Sequence, residues 1–481
     1  MFATSIIRLI VLLLFVFNVF AVNKIVSNQN GIKSHRYEPN WKSLDKRPLP
    51  SWFDESKIGI FIHWGVFSVP SYGSEWFWEH WKQKDFNITY FMMKNYRPGF
   101  TYADFANDFR AEFFDPEEWA DIFKRSGARY VVLTSKHHEG YTLWPSKHSF
   151  QWNAEALGPG RDLVGELAHA VRGEGLRFGL YHSLFEWFNP LYLNDKANGF
   201  KTNEFVRNKV GPCLYELIDR YRPSLIWSDG EWDAPDTYWN STNFLAWLYN
   251  ESPVKDEIVV NDRWGHETLC KHGGYYTCQD RYNPKTLQGH KWENAMTLDQ
   301  SSWGYRREAS LSDILGPEKL IATLVETVSC GGNLLVNVGP TKYGKLTPIF
   351  EERLYQLGEW LQINGEAIYG SKPWTKQNDS ITSNVWFTSN HQALYAILLN
   401  YPKDNQLILG SVPYHQVSLI KLLGTEKPCQ FNRTSEDYTF IRLPPITPND
   451  QVKYAYTLKI LLKESERNEN RSNNAFKSGQ F

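Results

Sequence analysis

A cluster of acidic and indole side chains follows an apolar run near the middle of the sequence. The run 225–227 comes after a proline, and Asp229, Glu231 and Trp232 follow it. An apolar run bounded by a proline and a turn predicts a buried strand. Carboxylates at the end of such a strand can act as acid, base or nucleophile on a sugar, whose C–H faces pack against indole rings. The cluster therefore favours a carbohydrate site over the simpler interpretation that Asp229 only caps a turn.

Polar and aromatic side chains stand at or near the ends of several other apolar runs. The candidate site residues of this kind are His63, Trp64, Glu75, His137, His138, Tyr181, His182, Trp227, Asp229, Arg263, Glu293 and Trp303. In a barrel, the carboxyl ends of the strands meet on one face, where such folds carry their chemistry. We therefore expect the set to line one site, although each single histidine has an equally good structural interpretation.

Strands and helices must alternate to bring these residues together. The predicted strands lie within 57–65, 128–140, 176–183, 225–232, 257–264 and 332–340, and residues 290–293 lead into a further strand, the sixth in order. The predicted helices are 115–127, 161–174, 200–222, 238–249, 317–329 and 348–363. This alternation predicts an α/β fold, a (β/α)8-like barrel in residues 22–370, although its seventh strand cannot be located. An open doubly wound sheet is the alternative, and it is less favoured because no Gly-x-Gly-x-x-Gly sequence follows a strand.

The two ends of the chain differ from this middle part. Residues 1–21 combine Arg8, a short apolar run and a small-residue pattern at Ala21, which is typical of a cleaved signal peptide rather than a membrane anchor. Residues 371–462 contain short strand-like runs between turns, which predict a C-terminal all-β sandwich. Residues 463–481 are polar, and we expect them to be disordered. No membrane partner is expected after signal cleavage.

Composition narrows the class of partner. The chain carries 52 Lys and Arg against 53 Asp and Glu, which argues against nucleic-acid binding, and its 20 tryptophans suit sugar stacking better than base stacking.

Five cysteines are too few for a disulfide scaffold, but Cys270 and Cys278 flank a short loop that a disulfide could close. A secretory route makes the Asn-X-Ser/Thr sequences glycosylation candidates. These are Asn87, Asn240, Asn378, Asn432 and Asn470.

Two other chemistries are less well supported. A serine nucleophile would be expected in a Gly-x-Ser-x-Gly elbow, which is absent. A metal held by His137 and His138 is awkward, because adjacent residues of a strand point to opposite faces. A zinc site near Cys270 lacks the Cys-x-x-Cys spacing. We therefore expect neither a metal nor an organic cofactor.

Several motifs are similar, in the same order, to those of animal tissue α-L-fucosidases, which belong to family 29 of the glycoside hydrolases. The motifs are HWG at 63–65, SEWFW at 74–78, KHHEG at 136–140, YHS at 181–183, WSDGEW at 227–232, NDRW at 261–264 and KWE at 291–293. The resemblance extends from about residue 57 through the β domain. It implies a barrel with a C-terminal β-sandwich, hydrolysis of terminal α-L-fucose from glycoproteins and glycolipids with retention of configuration, and a lysosomal or secreted location.

The resemblance also implies roles for individual residues. Asp229 would be the nucleophile. The acid/base residue stays open between Glu293 of the KWE motif and Asp280, which follows Cys278 closely, because acid/base residues of this family come from variable loops. Retention requires the two carboxyl groups to lie about 5–5.5 Å apart. The substrate-binding residues would be His63, Trp64, Glu75, His137, His138, Tyr181, Trp227, Arg263 and Trp303.

One position departs from the family pattern. Animal members usually carry a cysteine two residues after Glu293, where this chain has Ala295. Because Asp229 and Arg263 are intact, we favour the view that the thiol is dispensable. A catalytically inactive fucose-binding lectin on the same scaffold is the second hypothesis, and a hydrolase for another sugar is the third. Fucosylated glycans would be the partners, and the resemblance makes a homo-oligomer a further candidate.

Overall fold

The computed structural model describes residues 36–425, 427–447, 450 and 452–463. Packing divides the chain into two units, Met1–Glu38 and Pro39–Phe481. Of the first unit, the structure describes only the irregular stretch 36–38. The signal peptide, Asn470 and all but the first residue of the polar tail lie outside the described residues, and those predictions remain predictions.

Seven parallel strands form the sheet that carries the predicted site. They are β1 Ile58–Ile62, β2 Tyr130–Lys136, β3 Arg177–Ser183, β4 Leu225–Asp229, β5 Val259–Val260, β6 Trp292–Thr297 and β7 Gly332–Val338. Their order is β5-β4-β3-β2-β1-β7-β6, so β1 lies between β2 and β7. All the residues of these strands are buried except Arg177, which is partly exposed, as expected for a sheet covered on both faces.

A short extended segment, 274–277, fills the gap between β5 and β6. The N–H of Gly274 donates to the carbonyl of Val260 at 3.1 Å, and the N–H of Tyr276 donates to the carbonyl of Lys291 at 2.9 Å. The segment therefore stands where the sequence showed no strand, and it joins the two edges of the sheet. This closure confirms the (β/α)8-like barrel. It also corrects the strand count: the segment 274–277 occupies the sixth strand position of the barrel, so β6 occupies the seventh position and not the sixth.

Aromatic and branched side chains fill the barrel interior. They are Phe53, Phe61, Tyr130, Val132, Tyr181, Leu225, Trp227, Val259, Tyr275, Ala295 and Leu335. Gly59 is needed beside Tyr130, because a Cβ at that position would lie 2.4 Å from the tyrosine ring. Interior packing of this density fixes the directions of the side chains above it.

The described helices surround the sheet. They are α1 Trp41–Leu44, α2 Ser51–Ser56, α3 Phe77–Lys82, α4 Phe86–Asn95, α5 Pro116–Arg125, α6 Leu163–Gly173, α7 Pro190–Ala197, α8 Gly211–Tyr221, α9 Asp236–Trp239, α10 Ser241–Asn250, α11 Pro317–Ser329 and α12 Pro348–Asn364. Asp115 caps α5, because its side chain accepts from the N–H groups of Glu117 and Glu118 at 3.1 and 3.0 Å. No helix among the described residues is both long and apolar enough to cross a bilayer.

Two predicted helices are wrong in their extent. The helix predicted over 200–222 extends over 204–221 in the structure, and it contains a π-helical turn, Val206–Val210, that leads into α8. Pro212 lies just after this turn, and because it has no N–H to donate to the preceding turn, it accounts for the irregular hydrogen bonding at this point of the helix. The helix predicted at 238–249 is divided at Asn240, whose φ of 57° is left-handed.

The C-terminal part of the chain forms two antiparallel sheets. Its strands are β8 Lys372–Asn378, β9 Val385–Ser389, β10 Leu394–Leu398, β11 Gln406–Pro413, β12 Val417–Leu422, β13 Gln430–Arg433, β14 Tyr438–Arg442 and β15 Tyr456–Leu462. One sheet has the order β12-β15-β10-β9-β8 and the other β11-β14-β13. Residues of both sheets, among them Leu409 and Leu458, share one apolar core, which confirms the predicted sandwich. Trp360 of α12 donates to the carbonyl of Ala455 at 2.9 Å and joins the sandwich to the barrel.

Candidate active site

A cleft opens at the carboxyl ends of the barrel strands. It encloses about 430 Å³, including the part open to solvent. Its lining residues are Phe61, His63, Glu75, Trp76, His137, His138, Tyr181, Trp227, Asp229, Trp232, Arg263, Asp280 and Trp303. The structure therefore brings together ten of the sequence-predicted residues, including one of the two acid/base candidates. We call this space the first cleft.

Asp229 is the last residue of β4, and hydrogen-bond donors converge on it. The phenol of Tyr181 donates to Oδ2 at 2.7 Å, and Nη1 of Arg263 donates to Oδ1 at 2.9 Å. Nε2 of His138 lies 3.5 Å from Oδ2. Asp229 is only 8% exposed, so these partners fix its carboxylate in one orientation at the floor of the cleft.

Arg263 connects Asp229 with Asp280. Its Nη2 donates to Oδ1 of Asp280 at 2.7 Å, its Nε donates to the hydroxyl of Thr277 at 3.0 Å, and the guanidinium lies 4.6 Å from the ring centre of Trp227. Burial lowers the pKa of Arg263, but the neighbouring carboxylates outweigh it and hold the pKa above its usual value. One fixed positive group thus orients two carboxyl groups that face the same cleft.

Two histidines of the cleft, His63 and His138, are neutral hydrogen-bonding groups. Nδ1 of His63 lies 2.7 Å from Oδ1 of Asn337, and Nδ1 of His138 lies 2.7 Å from the hydroxyl of Ser183. Burial, reinforced by the nearby His137, lowers the pKa of both His63 and His138 well below the usual value. Neutral imidazoles of this kind can donate to or accept from sugar hydroxyls without adding charge.

Glu75 lines the first cleft and holds one of its loops in place. Its Oε2 accepts from the hydroxyl of Ser302 at 3.0 Å and from the N–H groups of Trp303 and Gly304 at 2.9 and 3.1 Å. These bonds hold the loop that presents Trp303, whose ring centre lies 5.2 Å from that of His63. Glu75 therefore positions an indole as well as lining the cleft.

Three lining residues are absent from the predicted set: Phe61, Trp76 and Trp232. The sequence carried a signal for each of them. Phe61 stands two residues before His63 on the same face of β1, while Trp76 and Trp232 directly follow Glu75 and Glu231. Together they add aromatic surface to the cleft.

Trp64 lies away from the first cleft, which corrects the expectation that it contacts substrate. Its indole N–H donates to the carbonyl of Thr341 at 2.9 Å, and its ring packs against Phe109 and Trp119. The physical reason is the alternation of side chains at a strand end: His63 points into the cleft, so Trp64 points outward to the helices.

Glu293 also lies outside the lining of the first cleft. It is fully buried in the barrel, where it accepts from the indole of Trp227 at 2.9 Å and from the phenol of Tyr130 at 2.6 Å. Burial raises the pKa of Glu293 to about 7, although these donors oppose the shift. Ala295 is buried in the barrel interior and, like Glu293, is not among the residues that line the first cleft.

Glu231 is a second buried acid near the nucleophile candidate. It is 4% exposed and is not among the lining residues. Burial raises its pKa to about 7, with Asp229 contributing in the same direction and Arg263 opposing. Its carboxyl is therefore largely protonated at acidic pH.

The loop that carries Asp280 is closed by a disulfide between Cys270 and Cys278. The carboxylate of Asp262 accepts from the N–H groups of Cys270 and Cys278 at 2.8 and 3.2 Å, and from that of Thr277 at 2.9 Å.

Within the described residues, no group of three or more His, Cys, Asp or Glu side chains is arranged to hold a metal ion.

A closed β/α barrel with paired carboxylates and stacked indoles at its strand ends defines a glycoside hydrolase. Comparison with known proteins gives the family. The family model described as alpha-L-fucosidase matches residues 24–366, and the model for the alpha-L-fucosidase C-terminal domain matches residues 377–461. The chain therefore belongs to the α-L-fucosidase family, and the prediction of an α-L-fucosidase is confirmed.

Curated relatives and solved structures agree with this assignment. Human tissue alpha-L-fucosidase is 56% identical over 428 residues, which cover 88% of this chain and 92% of the relative. The alpha-L-fucosidase of Branchiostoma floridae is 58% identical over 86% of this chain and 93% of its own. The crystal structure of Thermotoga maritima alpha-fucosidase superposes with a TM-score of 0.77 at 33% identity, covering 89% of this chain and all of the other.

Proposed function

We propose that the chain is a retaining exo-α-L-fucosidase in which Asp229 is the nucleophile and Asp280 the acid/base. The observation that carries the proposal is the bridge made by Arg263, which binds both carboxyl groups in the wall of one cleft. The arrangement supplies the two carboxyl groups that a double displacement requires.

Each step follows from these positions. Asp280 gives a proton to the glycosidic oxygen while Asp229 attacks the anomeric carbon, so the C–O bond to the leaving sugar breaks as the bond to Asp229 forms. The product is a β-linked fucosyl-enzyme and the free alcohol. Asp280 then takes a proton from water, whose oxygen attacks the same carbon and releases α-L-fucose.

Asp280 fits the acid/base role better than Glu293. Its side chain is 47% exposed and lines the first cleft, so a leaving group and a water molecule can both reach it. Glu293 has no exposed surface, and both of its oxygens already accept hydrogen bonds. A general acid must come within hydrogen-bond reach of the leaving oxygen, which favours Asp280.

The remaining cleft residues recognise the sugar. The neutral His63 and His138 bond to hydroxyl groups, together with His137 and Arg263. Trp227 and Trp303 contact the methyl and C–H surface of fucose, a deoxy sugar with one apolar edge. The narrow, aromatic cleft suits a terminal residue, which supports exo action.

The substrates we propose are fucosylated glycans of glycoproteins and glycolipids, met in the lysosome or outside the cell. A secretory route is supported by the predicted signal peptide and by the exposure of Asn87, Asn240, Asn378 and Asn432, since glycosylation needs accessible asparagines. We also propose that the catalytic domain is 22–370 and the sandwich 371–462, and that the assembly is a homo-oligomer.

The test of this function is the stereochemistry of the first product. Proton NMR follows the hydrolysis of 4-nitrophenyl α-L-fucoside before mutarotation mixes the anomers. We expect α-L-fucose to appear first. Initial β-L-fucose would contradict the double displacement, and binding of fucose without any turnover would favour the lectin hypothesis.

A further inference from the structure

A groove lies on the Asp280 side of the barrel, between the loop that carries Asp280 and α11. We call it the side groove. It encloses about 740 Å³, including the part open to solvent, and residues of that loop, of β6 and of α11 line it. In a β/α barrel a helix usually follows each strand, but residues 278–291, which connect the segment 274–277 to β6, contain no helix. The missing helix leaves this side of β6 open.

Arg281 borders both the first cleft and the side groove. It directly follows Asp280 in the chain, it is exposed, and it lines the groove. Its guanidinium carbon lies 5.5 Å from the ring centre of Trp303, which lines the first cleft, and its Nη2 donates to the carbonyl of Gln300 at 3.3 Å. A sugar whose glycosidic oxygen lies against Asp280 therefore has Arg281 as its neighbour, and a glycan that extends past Arg281 enters the side groove.

The backbone of Arg281 is held in an unusual conformation. Its φ of 56° lies in the left-handed region, which an arginine seldom adopts, and its N–H donates to the carbonyl of Ala295 at 2.9 Å. A conformation of this kind persists only where the surrounding contacts fix it, and such residues cluster at ligand sites. The Arg281 side chain thus starts from a fixed point beside Asp280.

The side groove carries an excess of positive charge. Of its described lining residues, Arg281, Lys285 and Lys319 are cations and only Glu326 is an acid. Glu326 is 6% exposed and already accepts from Lys285 at 3.1 Å and from Asn283 at 2.8 Å. Within the part of the chain that the structure describes, neither Arg281 nor Lys319 forms an ion pair, and both are exposed. These two cations are therefore available to an anionic ligand.

We propose that the side groove binds an anionic residue of the leaving glycan, one that carries a carboxylate or a sulfate ester. Arg281 and Lys319 pair with the anionic group while the fucosyl residue occupies the first cleft. The enzyme thereby favours acidic fucosylated glycans over neutral ones. This inference rests on the proposed function, because Asp280 must face the leaving sugar.

The test measures competitive inhibition, so that it does not depend on whether an oligosaccharide is itself cleaved. Each oligosaccharide competes with 4-nitrophenyl α-L-fucoside at low ionic strength. In the first pair, 3-fucosyllactose is compared with 3′-sialyl-3-fucosyllactose, which adds a carboxylate. In the second pair, the Lewis x trisaccharide is compared with its 3′-sulfated form. The ratio of inhibition constants within a pair cancels any change in the binding of fucose itself.

Variants of the two free cations locate the effect. Arg281→Gln and Lys319→Gln each remove one charge from the side groove, and the double variant removes both. Lys147→Gln is the matched control, because Lys147 is an exposed lysine of the barrel that does not line the groove.

We expect the anionic member of at least one pair to bind wild type about fivefold more tightly than the neutral member, as two exposed ion pairs provide. Each single variant should reduce this advantage, and the double variant or 0.5 M sodium chloride, roughly a Debye length of a few Å, should abolish it. Lys147→Gln should keep it. An advantage in one pair only identifies the anionic group as the carboxylate or the sulfate.

Equal inhibition within both pairs, or an advantage that the double variant keeps, would overturn the inference. If the wild type fails to hydrolyse the aryl fucoside, the proposed function itself falls, and the two failures are thus distinguished.

Discussion

In the proposed mechanism, Arg263 constrains which oxygen of Asp280 can carry the catalytic proton. The guanidinium donates to Oδ1 of Asp280 and cannot accept a proton, so an Asp280 that acts as the acid would carry its proton on Oδ2. The same guanidinium donates to Oδ1 of Asp229. The other oxygen of that carboxylate, Oδ2, accepts from the phenol of Tyr181. Arg263 thus sets the relative orientation of both groups before substrate binds.

The first prediction concerns separate substitutions of the two acid/base candidates, Asp280 and Glu293. Asp280→Ala should lower kcat/KM for 2′-fucosyllactose by about 10²- to 10⁴-fold, because the leaving sugar then lacks a proton donor. On 4-nitrophenyl α-L-fucoside, whose leaving group needs no proton, the fucosyl-enzyme of this variant still forms, and added azide should attack it, displace Asp229 and give α-L-fucosyl azide. Glu293→Gln is the control and should retain activity within about tenfold, since Glu293 does not face the cleft. A larger loss in Glu293→Gln than in Asp280→Ala would refute the assignment.

Side-chain alternation decides which strand-end residues reach the cleft. His63 and Phe61 share one face of β1 and both line the cleft, whereas Trp64 packs outward. Trp227 and Asp229 are likewise two residues apart on β4. The sequence identifies such tips correctly, but the direction of the last residue depends on where each strand stops, which the chain alone leaves open.

The loop that carries Asp280 is fastened at several points. The disulfide between Cys270 and Cys278 closes its first part, and the N–H of Arg281 donates to the carbonyl of Ala295 on β6 at 2.9 Å. Further along, Asn283 donates to Glu326 of α11 at 2.8 Å. These contacts make the exposed Asp280 a positioned group rather than a free surface carboxylate.

Removing the disulfide tests the role of this loop. The double variant Cys270→Ser, Cys278→Ser should lose about tenfold in kcat while its unfolding midpoint falls by only a few degrees, because the closed loop is short. Wild type treated with a reductant should reproduce both changes, and the double variant should ignore the reductant. Unchanged kcat in the double variant would show that the other contacts suffice to hold Asp280.

The segment 274–277 explains where prediction of the barrel stopped. It bonds to the β5 edge through Gly274 and Tyr275 and to the β6 edge through Tyr276, and this short stretch has no run of alternating residues that would mark a strand. Most of the remaining barrel strands were visible because they contain a buried apolar run, whereas β6, with the sequence WENAMT, was marked only at its start. From the sequence, Asp280 could be identified only as a candidate, because long-range contacts order its loop and no local sequence pattern reveals such contacts.

Buried acids link the stability of the whole molecule to pH. Burial raises the pKa of Glu293 from 4.5 to about 7, so between these values the folded chain holds a proton that the unfolded chain releases. The stabilisation that this proton gives is complete below about pH 4.5 and is lost as pH rises through 7. Glu231 contributes in the same direction. Both acids thus make the folded chain more stable at acidic pH than at neutral pH.

Glu293→Gln measures this linkage directly. Glutamine keeps the neutral form at every pH, so the variant should gain stability relative to wild type as pH rises from 4.5 to 7.5, by at most about 3 kcal/mol. Urea unfolding at several pH values provides the free energies, and the comparison cancels other titrating groups. Glu155 is exposed, so the free energy of unfolding of Glu155→Gln should change with pH in the same way as that of wild type. A constant difference between Glu293→Gln and wild type would mean that Glu293 is ionised in the folded chain.

Chemical rescue of Asp229→Gly tests the central claim most directly. The variant is assayed on an aryl α-L-fucoside with and without azide, and the product is identified by NMR. We predict loss of hydrolysis, restoration of turnover by azide, and β-L-fucosyl azide as the product, because azide enters the space of the missing carboxylate. Undiminished hydrolysis by folded Asp229→Gly, or rescue that yields the α-azide, would contradict the role of Asp229 as nucleophile.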